Sequence, residues 1–317
     1  MHQILISAIS LFIKPTRRLN MKQQLLIAGL MTLISTQVSA GIKTRILHID
    51  APENMSGRYE VLVAKNMNTL SVDSSDSELI KSLYDAQEYN SVVDLEVEEN
   101  QLKSLEVIEQ GDNLLDFYPG DEVHPMSNYT PSNVDSMDLA KELFDSLKDR
   151  TKWFTQCFNR AHIWAKQMYN SHQVESMKIL IYYTKKYRRE IKGKWWFHIA
   201  PMIDVNGEHV VLDKEFFRGP VSATTWEKKF TSKMEAKGIK GYRCKVIKNI
   251  KEFYNEENQK NEYCNIQVAS MYYWEPNDMS RLDKTGQEKT EFINWELKSA
   301  AKEIFWRWKG IYNSLKD

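Results

Sequence analysis

Cys157-Phe-Asn-Arg-Ala-His-Ile-Trp-Ala-Lys-Gln-Met168 carries its apolar residues at helical spacing and places a thiol at the first position. A helix N-terminus presents free N–H groups and partial positive charge, so it favours a thiolate and lowers a cysteine from its ordinary value of about 8.5. His198 lies 41 residues further on, behind Trp195, Trp196 and Phe197 in a strand-like run. Asp213 follows after another 15 residues and closes the run Glu208-His-Val-Val-Leu-Asp213. A thiol at a helix start, an imidazole on one strand and a carboxylate on the next make the set Cys157, His198 and Asp213 a candidate thiol acyl-transfer site. The carboxylate would orient the imidazole, and the imidazole would activate the thiol.

Working outward, Asn206-Gly207 is a strong hairpin signal and predicts antiparallel pairing of the two strands around it. Val205 then faces Glu208, and His198 falls opposite a position near 215, two residues past Asp213. Periodicity also predicts helices over 135–150 and 157–168, a strand over 177–183, a solvated basic turn over 185–194 and a strand over 195–205. Upstream, 58–64, 92–97 and 102–108 read as strands. Residues 77–88 read as a helix behind the Ser/Asp-rich opening at 73–77. The fold class is therefore α+β. A last helix is expected over 291–316, packed on the core.

Neutral overall charge conceals a split. Residues 41–150 carry a net −14 and residues 151–317 a net +10, with four more basic residues in the first forty. Opposite halves in one chain can attract and dock. Between them, 118–133 holds Pro119, Gly120, Pro125 and Pro131 without periodicity, as an exposed, cleavable connection does. The organisation expected is an acidic α+β unit at 41–118, a linker at 119–134 and a catalytic part at 135–317. An acidic unit with no catalytic residue ahead of a cleavable linker suggests a zymogen: a pro-domain, removed by an activating protease.

Met21-Lys22-Gln23-Gln24 precedes a short apolar run ending in Gln37-Val38-Ser39-Ala40. That is the pattern of a secretory signal cleaved after Ala40, and the run is far shorter than the roughly 20 residues of a spanning helix. Residues 1–40 are therefore expected to be a signal peptide, with Met21 the favoured start. The mature protein would be secreted or periplasmic, without stable membrane insertion. In an oxidising compartment Cys244 and Cys264 are expected to pair, stabilising the fold by about 3 kcal/mol in the loop-entropy account, and Cys157 to stay free. No metal-ligand spacing and no Gly-x-Gly cradle appears, so no metal and no cofactor is expected.

The Cys157-Phe-Asn-Arg-Ala-His162 run, the Trp196-Phe-His-Ile-Ala200 strand and Val211-Leu-Asp-Lys-Glu-Phe-Phe-Arg-Gly-Pro-Val-Ser-Ala-Thr-Thr-Trp226 resemble bacterial protein-glutaminase. The resemblance covers roughly residues 152–226. It implies a papain/transglutaminase-like core, a Cys-His-Asp triad, hydrolysis of glutamine side-chain amides in proteins or peptides, no cofactor, and an N-terminal pro-region that blocks the site. Three features depart from it: Lys214 stands where the family usually has Pro, three cysteines are fewer than the family's enzyme carries, and the helix at 291–316 has no counterpart. Gln156, Trp153, Trp196 and Trp226 are candidates for the oxyanion hole or the substrate cleft. His162, five positions after Cys157, points away from the thiol on a helix and reads as a structural hydrogen bonder.

Three alternatives stand beside this reading. A cysteine peptidase of the papain or NlpC/P60 kind would use the same residue order on a backbone amide. A transglutaminase would pass the acyl group to lysine. A non-enzymatic basic module would bind acidic partners through Lys185-Lys-Tyr-Arg-Arg189 and residues 245–251, although these runs read better as solvated faces and no nucleic-acid partner is expected. Alkylating the unreduced, denatured chain should label a single thiol; three labelled thiols would remove the Cys244–Cys264 pairing.

Overall fold

A computed structural model describes residues 41–52, 57–111, 126, 129–149, 156–274 and 276. The signal-like segment, most of the linker, Trp153 and the helix expected at 291–316 lie outside the described residues.

In chain order the strands are β1 (Ile42–Thr44), β2 (Ile46–Asp50), β3 (Arg58–Val63), β4 (Asn66–Asp73), β5 (Val92–Glu98), β6 (Gln101–Glu109), β7 (Asn133–Val134), β8 (Met177–Tyr183), β9 (Phe197–Val205), β10 (Glu208–Val211), β11 (Val221–Ser222), β12 (Lys245–Val246) and β13 (Cys264–Ser270). They form two sheets. The acidic half builds a six-stranded sheet in the order β1-β5-β6-β4-β3-β2. The helix Ser77–Glu88 packs Leu79, Leu83 and Ala86 into that sheet's core. Its N-cap is Asp76, whose carboxylate accepts the Leu79 N–H, within the Ser/Asp-rich opening expected to start it. Strands β1, β2 and β4 went unrecognised in the sequence, for their apolar residues are interrupted by polar ones. The half-buried, mixed pattern of β4 shows this directly.

The basic half builds the second sheet, β11-β10-β9-β8-β13-β12, with β7 added beside β9. Every residue of β8 is buried, as a central strand covered on both faces requires. Cys244 and Cys264 are joined, which ties the segment before β12 to the start of β13. The Asn206-Gly207 turn has positive φ at both residues, 52° and 87°, the geometry a two-residue hairpin needs. It fixes the expected register of β9 on β10, Val205 against Glu208 and Met202 against Val211.

Two expectations are corrected. The basic run after β8 is not a solvated turn but the helix Lys185–Ile191, with Tyr187, Arg188 and Ile191 buried. Its N-cap is Thr184, which accepts the Tyr187 N–H; the density of lysine and arginine hid the buried stripe. The end of the linker is not free either. The Tyr129 hydroxyl donates to Ser176 O at 2.6 Å, Ser132 N donates to Glu175 O at 2.8 Å, and β7 pairs with β9 in parallel.

The acidic and basic halves meet through main chain and charge. Trp196 N donates to Met67 O at 3.0 Å, Thr69 N donates to Lys194 O at 2.9 Å, and Asn68 bridges Trp195 in antiparallel fashion. Leu62 shares a core cluster with Cys157, Phe158, Trp196 and Phe197. The guanidinium of Arg188, only 2% exposed, pairs with Asp50 and with Glu60, the latter at 2.9 Å. Burial opposes ionisation of Asp50, but its hydrogen bond from His48 and the Arg188 charge hold it below the usual carboxylate value. Arg188→Ala would leave the Asp50 carboxylate buried without its cation. It should cost about 3–5 kcal/mol in urea unfolding, as a broken buried pair does; a loss below about 1 kcal/mol would show the pair to be solvated.

Candidate functional site

Cys157 is the first residue of the helix Cys157–His172 and is fully buried. Gln156 is the N-cap, in extended conformation, and makes no side-chain capping bond. Its Oε1 instead accepts the Met67 N–H at 2.9 Å. The N–H groups of the first helical turn have no partner within the helix, and the thiol sits at that end.

His198 enters from β9. In register it faces Ile181 of β8, and its ring points into the cluster that contains Trp226 and Phe230. The return strand stops short of it, and a turn at Asp213 closes the gap: Phe216 N and Phe217 N both donate to Asp213 O. That turn swings the carboxylate onto the imidazole, His198 Nε2 to Asp213 Oδ2 at 2.8 Å, with both side chains almost wholly buried. The two-residue mismatch expected from the hairpin is thus absorbed by a turn rather than a bulge. Two more donors fix the carboxylate. Trp226 Nε1 donates to the same Oδ2 at 2.9 Å, and Glu215 N donates to Oδ1 at 3.2 Å.

Burial alone would discharge the imidazole. The Asp213 carboxylate, its hydrogen bond and the Cys157 thiol outweigh burial and raise His198 to about 9 from 6.5. Cys157 is therefore close enough to act on the ring. Nδ1, the nitrogen not used by Asp213, is buried without an aligned hydrogen bond among the described residues, so thiol and imidazole are neighbours rather than a tightly bonded pair. Catalytic hydrogen bonds are often loose before substrate binds. Cys157, His198 and Asp213 are thus brought together.

The remaining candidates fare differently. Trp196 is fully buried and donates from Nε1 to Asn66 O at 2.8 Å. Its ring packs on Phe197, Tyr182 and Phe253. Trp226 stacks on the His198 ring. His162 lies elsewhere, with Nδ1 2.7 Å from Lys178 Nζ and its ring against Trp274. Burial first, then the Lys178 and Lys166 charges, push His162 well below its ordinary value. Lys214, the departure from the family's usual Pro, donates to Leu147 O at 2.7 Å and to Asp145 O at 3.3 Å. It thereby satisfies carbonyls at the end of the helix Met137–Ser146. Sequence reasoning missed Phe230, whose ring centroid lies 4.7 Å from that of His198; its spacing of four from Trp226 on one helix was the available signal. It also missed Met67 and Asn66, whose contacts here are made by main chain and leave no mark on residue type. No group of three or more His, Cys, Asp or Glu able to hold a metal occurs among the described residues.

A helix-borne thiol beside a buried imidazole–carboxylate pair defines a candidate thiol hydrolase centre. Residues 140–230, which include all three groups, match a glutamine-deamidase family model described as "Glutaminase". Through that segment the chain is similar to the glutaminase family, the one its motifs resemble. Similar solved structures include a mutant of pro-protein-glutaminase, with 15% identity over 75% of this chain and 86% of that one and a TM-score of 0.47. Another is pro-protein-glutaminase itself, with 13% identity, 79% and 92% coverage and a TM-score of 0.46. A third is the NMR structure of protein-glutaminase from Chryseobacterium proteolyticum, with 19% identity, 32% and 68% coverage and a TM-score of 0.26. No curated protein matches the sequence.

A histidine raised on folding contributes stability that is complete below its unfolded value and disappears as pH climbs through its folded value. The His198 contribution should therefore be full below about 6.5 and lost through about 9. Urea midpoints of the full chain should fall across that window, and Asp213→Asn should flatten the fall. An equally steep fall in that variant would separate the shift from the carboxylate.

Proposed function

We propose that this chain is an exported protein-glutaminase, made as a zymogen, that hydrolyses glutamine side-chain amides in proteins or peptides. The observation that carries the reading is the buried His198–Asp213 pair beside Cys157, all inside the glutaminase-family segment. Cys157 is the nucleophile. Its thiolate, favoured by the helix end and the neighbouring imidazolium, attacks the amide carbon of the glutamine side chain. The tetrahedral oxyanion takes the Cys157 backbone N–H as its first donor. Protonated His198 gives its proton to the departing nitrogen, so ammonia leaves and a thioester remains. His198, now neutral, takes a proton from water as the water attacks the thioester; glutamate departs and the thiolate is restored beside imidazolium. Asp213 keeps Nε2 occupied throughout, so that the other ring nitrogen serves the thiol and the water.

The acidic half at 41–118 is the pro-domain in this reading. Two observations support latency: Cys157 and His198 are inaccessible to solvent, and Met67 engages Gln156 and Trp196 next to them. The docked stretch from Tyr129 to Val134 limits where activation can occur. The activating cut in the 119–134 linker would fall before Tyr129. Export rests on the signal pattern at 1–40 and on the Cys244–Cys264 disulfide; among the described residues no helix is long and apolar enough to cross a membrane.

The test is ammonia release from casein and from a glutamine peptide, by the intact chain and after nicking in the linker. Nicking should raise the rate, without cross-linked product and without new N-termini. Cys157→Ala should lower it about 10³-fold or more. Cross-links would point to acyl transfer to lysine, new N-termini to peptidase action, and an unchanged rate on nicking would end the zymogen assignment.

A further inference from the structure

The imidazole of His198 is enclosed by four aromatic rings. Trp195 and Trp226 lie roughly parallel to it, at 6.1 and 5.9 Å. Phe216 stands edge-on at 5.1 Å and Phe230 is tilted at 4.7 Å. Of the four, Trp226 also makes a hydrogen bond to the group that orients the imidazole, donating from Nε1 to the Oδ2 of Asp213 that meets His198 Nε2. It stands in the first turn of the helix Ala223–Glu235, which is capped by Ser222 through the Thr225 N–H. Trp226 and Phe230 are packed on each other, with centroids 4.7 Å apart.

We propose that Trp226 is a positioning residue of the thiol site rather than a wall of the substrate cleft, locking the Asp213 carboxylate through its indole N–H and covering the His198–Asp213 bond with its ring. The proposal rests on the function given above. Its physical basis is the cost of a buried carboxylate. Asp213 is 1% exposed and replaces water with three donors: His198 Nε2, Trp226 Nε1 and Glu215 N. Removing the indole N–H leaves the shared oxygen one donor short in a buried site, which frees the carboxylate to rotate and loosens its hold on the imidazole. The aromatic faces add attraction for the cationic ring and exclude the water that would otherwise compete for the bond. Asp213 and Cys157 are the neighbours that act on His198 in the raising direction, so a change at Trp226 that moves Asp213 is read at the imidazole.

The experiment compares the full chain with Trp226→Phe, which keeps an aromatic ring and removes the N–H. The His198 ring titration, followed by NMR, should move about one unit toward the free value. After nicking, kcat for ammonia release should fall about tenfold or more with KM unchanged. A midpoint that stays put or rises, or a kcat within about twofold of the parent, overturns the proposal. If Trp226→Phe does not fold, the parent chain decides: its Trp226 indole N–H resonance should shift as His198 titrates, and an insensitive resonance refutes the link. Cys157→Ala separates the two levels of argument. Ammonia release surviving that substitution sinks the glutaminase reading, whereas its loss alongside a normal Trp226→Phe sinks only the positioning role.

Discussion

A carboxylate buried away from solvent is the constraint around which the basic half is arranged. Asp213 lies at the end of a hairpin, almost wholly inaccessible, and each of its oxygens has a donor. Such a group is tolerated only where geometry supplies what solvent would. Three elements are committed to that supply. Strand β9 brings the imidazole, the turn after β10 brings the Glu215 N–H, and the helix Ala223–Glu235 brings the indole. The turn residue next to Asp213 is also anchored, since Lys214 reaches across to carbonyls near the end of the helix Met137–Ser146. The hairpin end is thereby held from two sides.

The thiol is placed by a different logic. Cys157 is set by its helix, whose residues Phe158, Ala161 and Ala165 are all buried, and by the extended N-cap before it. Its electrostatic setting comes from that helix end and from the imidazole beyond it. Among the described residues, no charged side chain of the acidic half hydrogen-bonds to the His198–Asp213 pair. It approaches through β3 and the beginning of β4, using Leu62, the Met67 main chain and the Asn66 carbonyl. The charge complementarity between the halves is concentrated elsewhere, at Arg188 with Asp50 and Glu60. Contact beside the site and charge pairing between the halves are thus assigned to separate residues.

What could be read in advance follows from which interactions depend on side-chain identity. The β9–β10 register was legible because Asn206-Gly207 admits one tight turn. The helix Ser77–Glu88 was legible from its cap and its stripe. His198 and Asp213 were legible as partners through that hairpin, and Cys157 only through its helix start. The helix Lys185–Ile191 was obscured because a buried arginine resembles a solvated one until its carboxylate partners, some 130 residues away, are known. The role of residues 66–69 was invisible for a simpler reason. Their bonds are made by peptide groups that every residue except proline possesses.

That last feature bears on how freely this chain can drift. An attachment made by backbone N–H groups at Met67 and Thr69 tolerates most replacements at those positions. Proline alone would delete a donor. Related chains could therefore diverge beyond recognition across this strand while retaining the same attachment, and comparison of letters would miss a part that comparison of hydrogen-bond patterns would find.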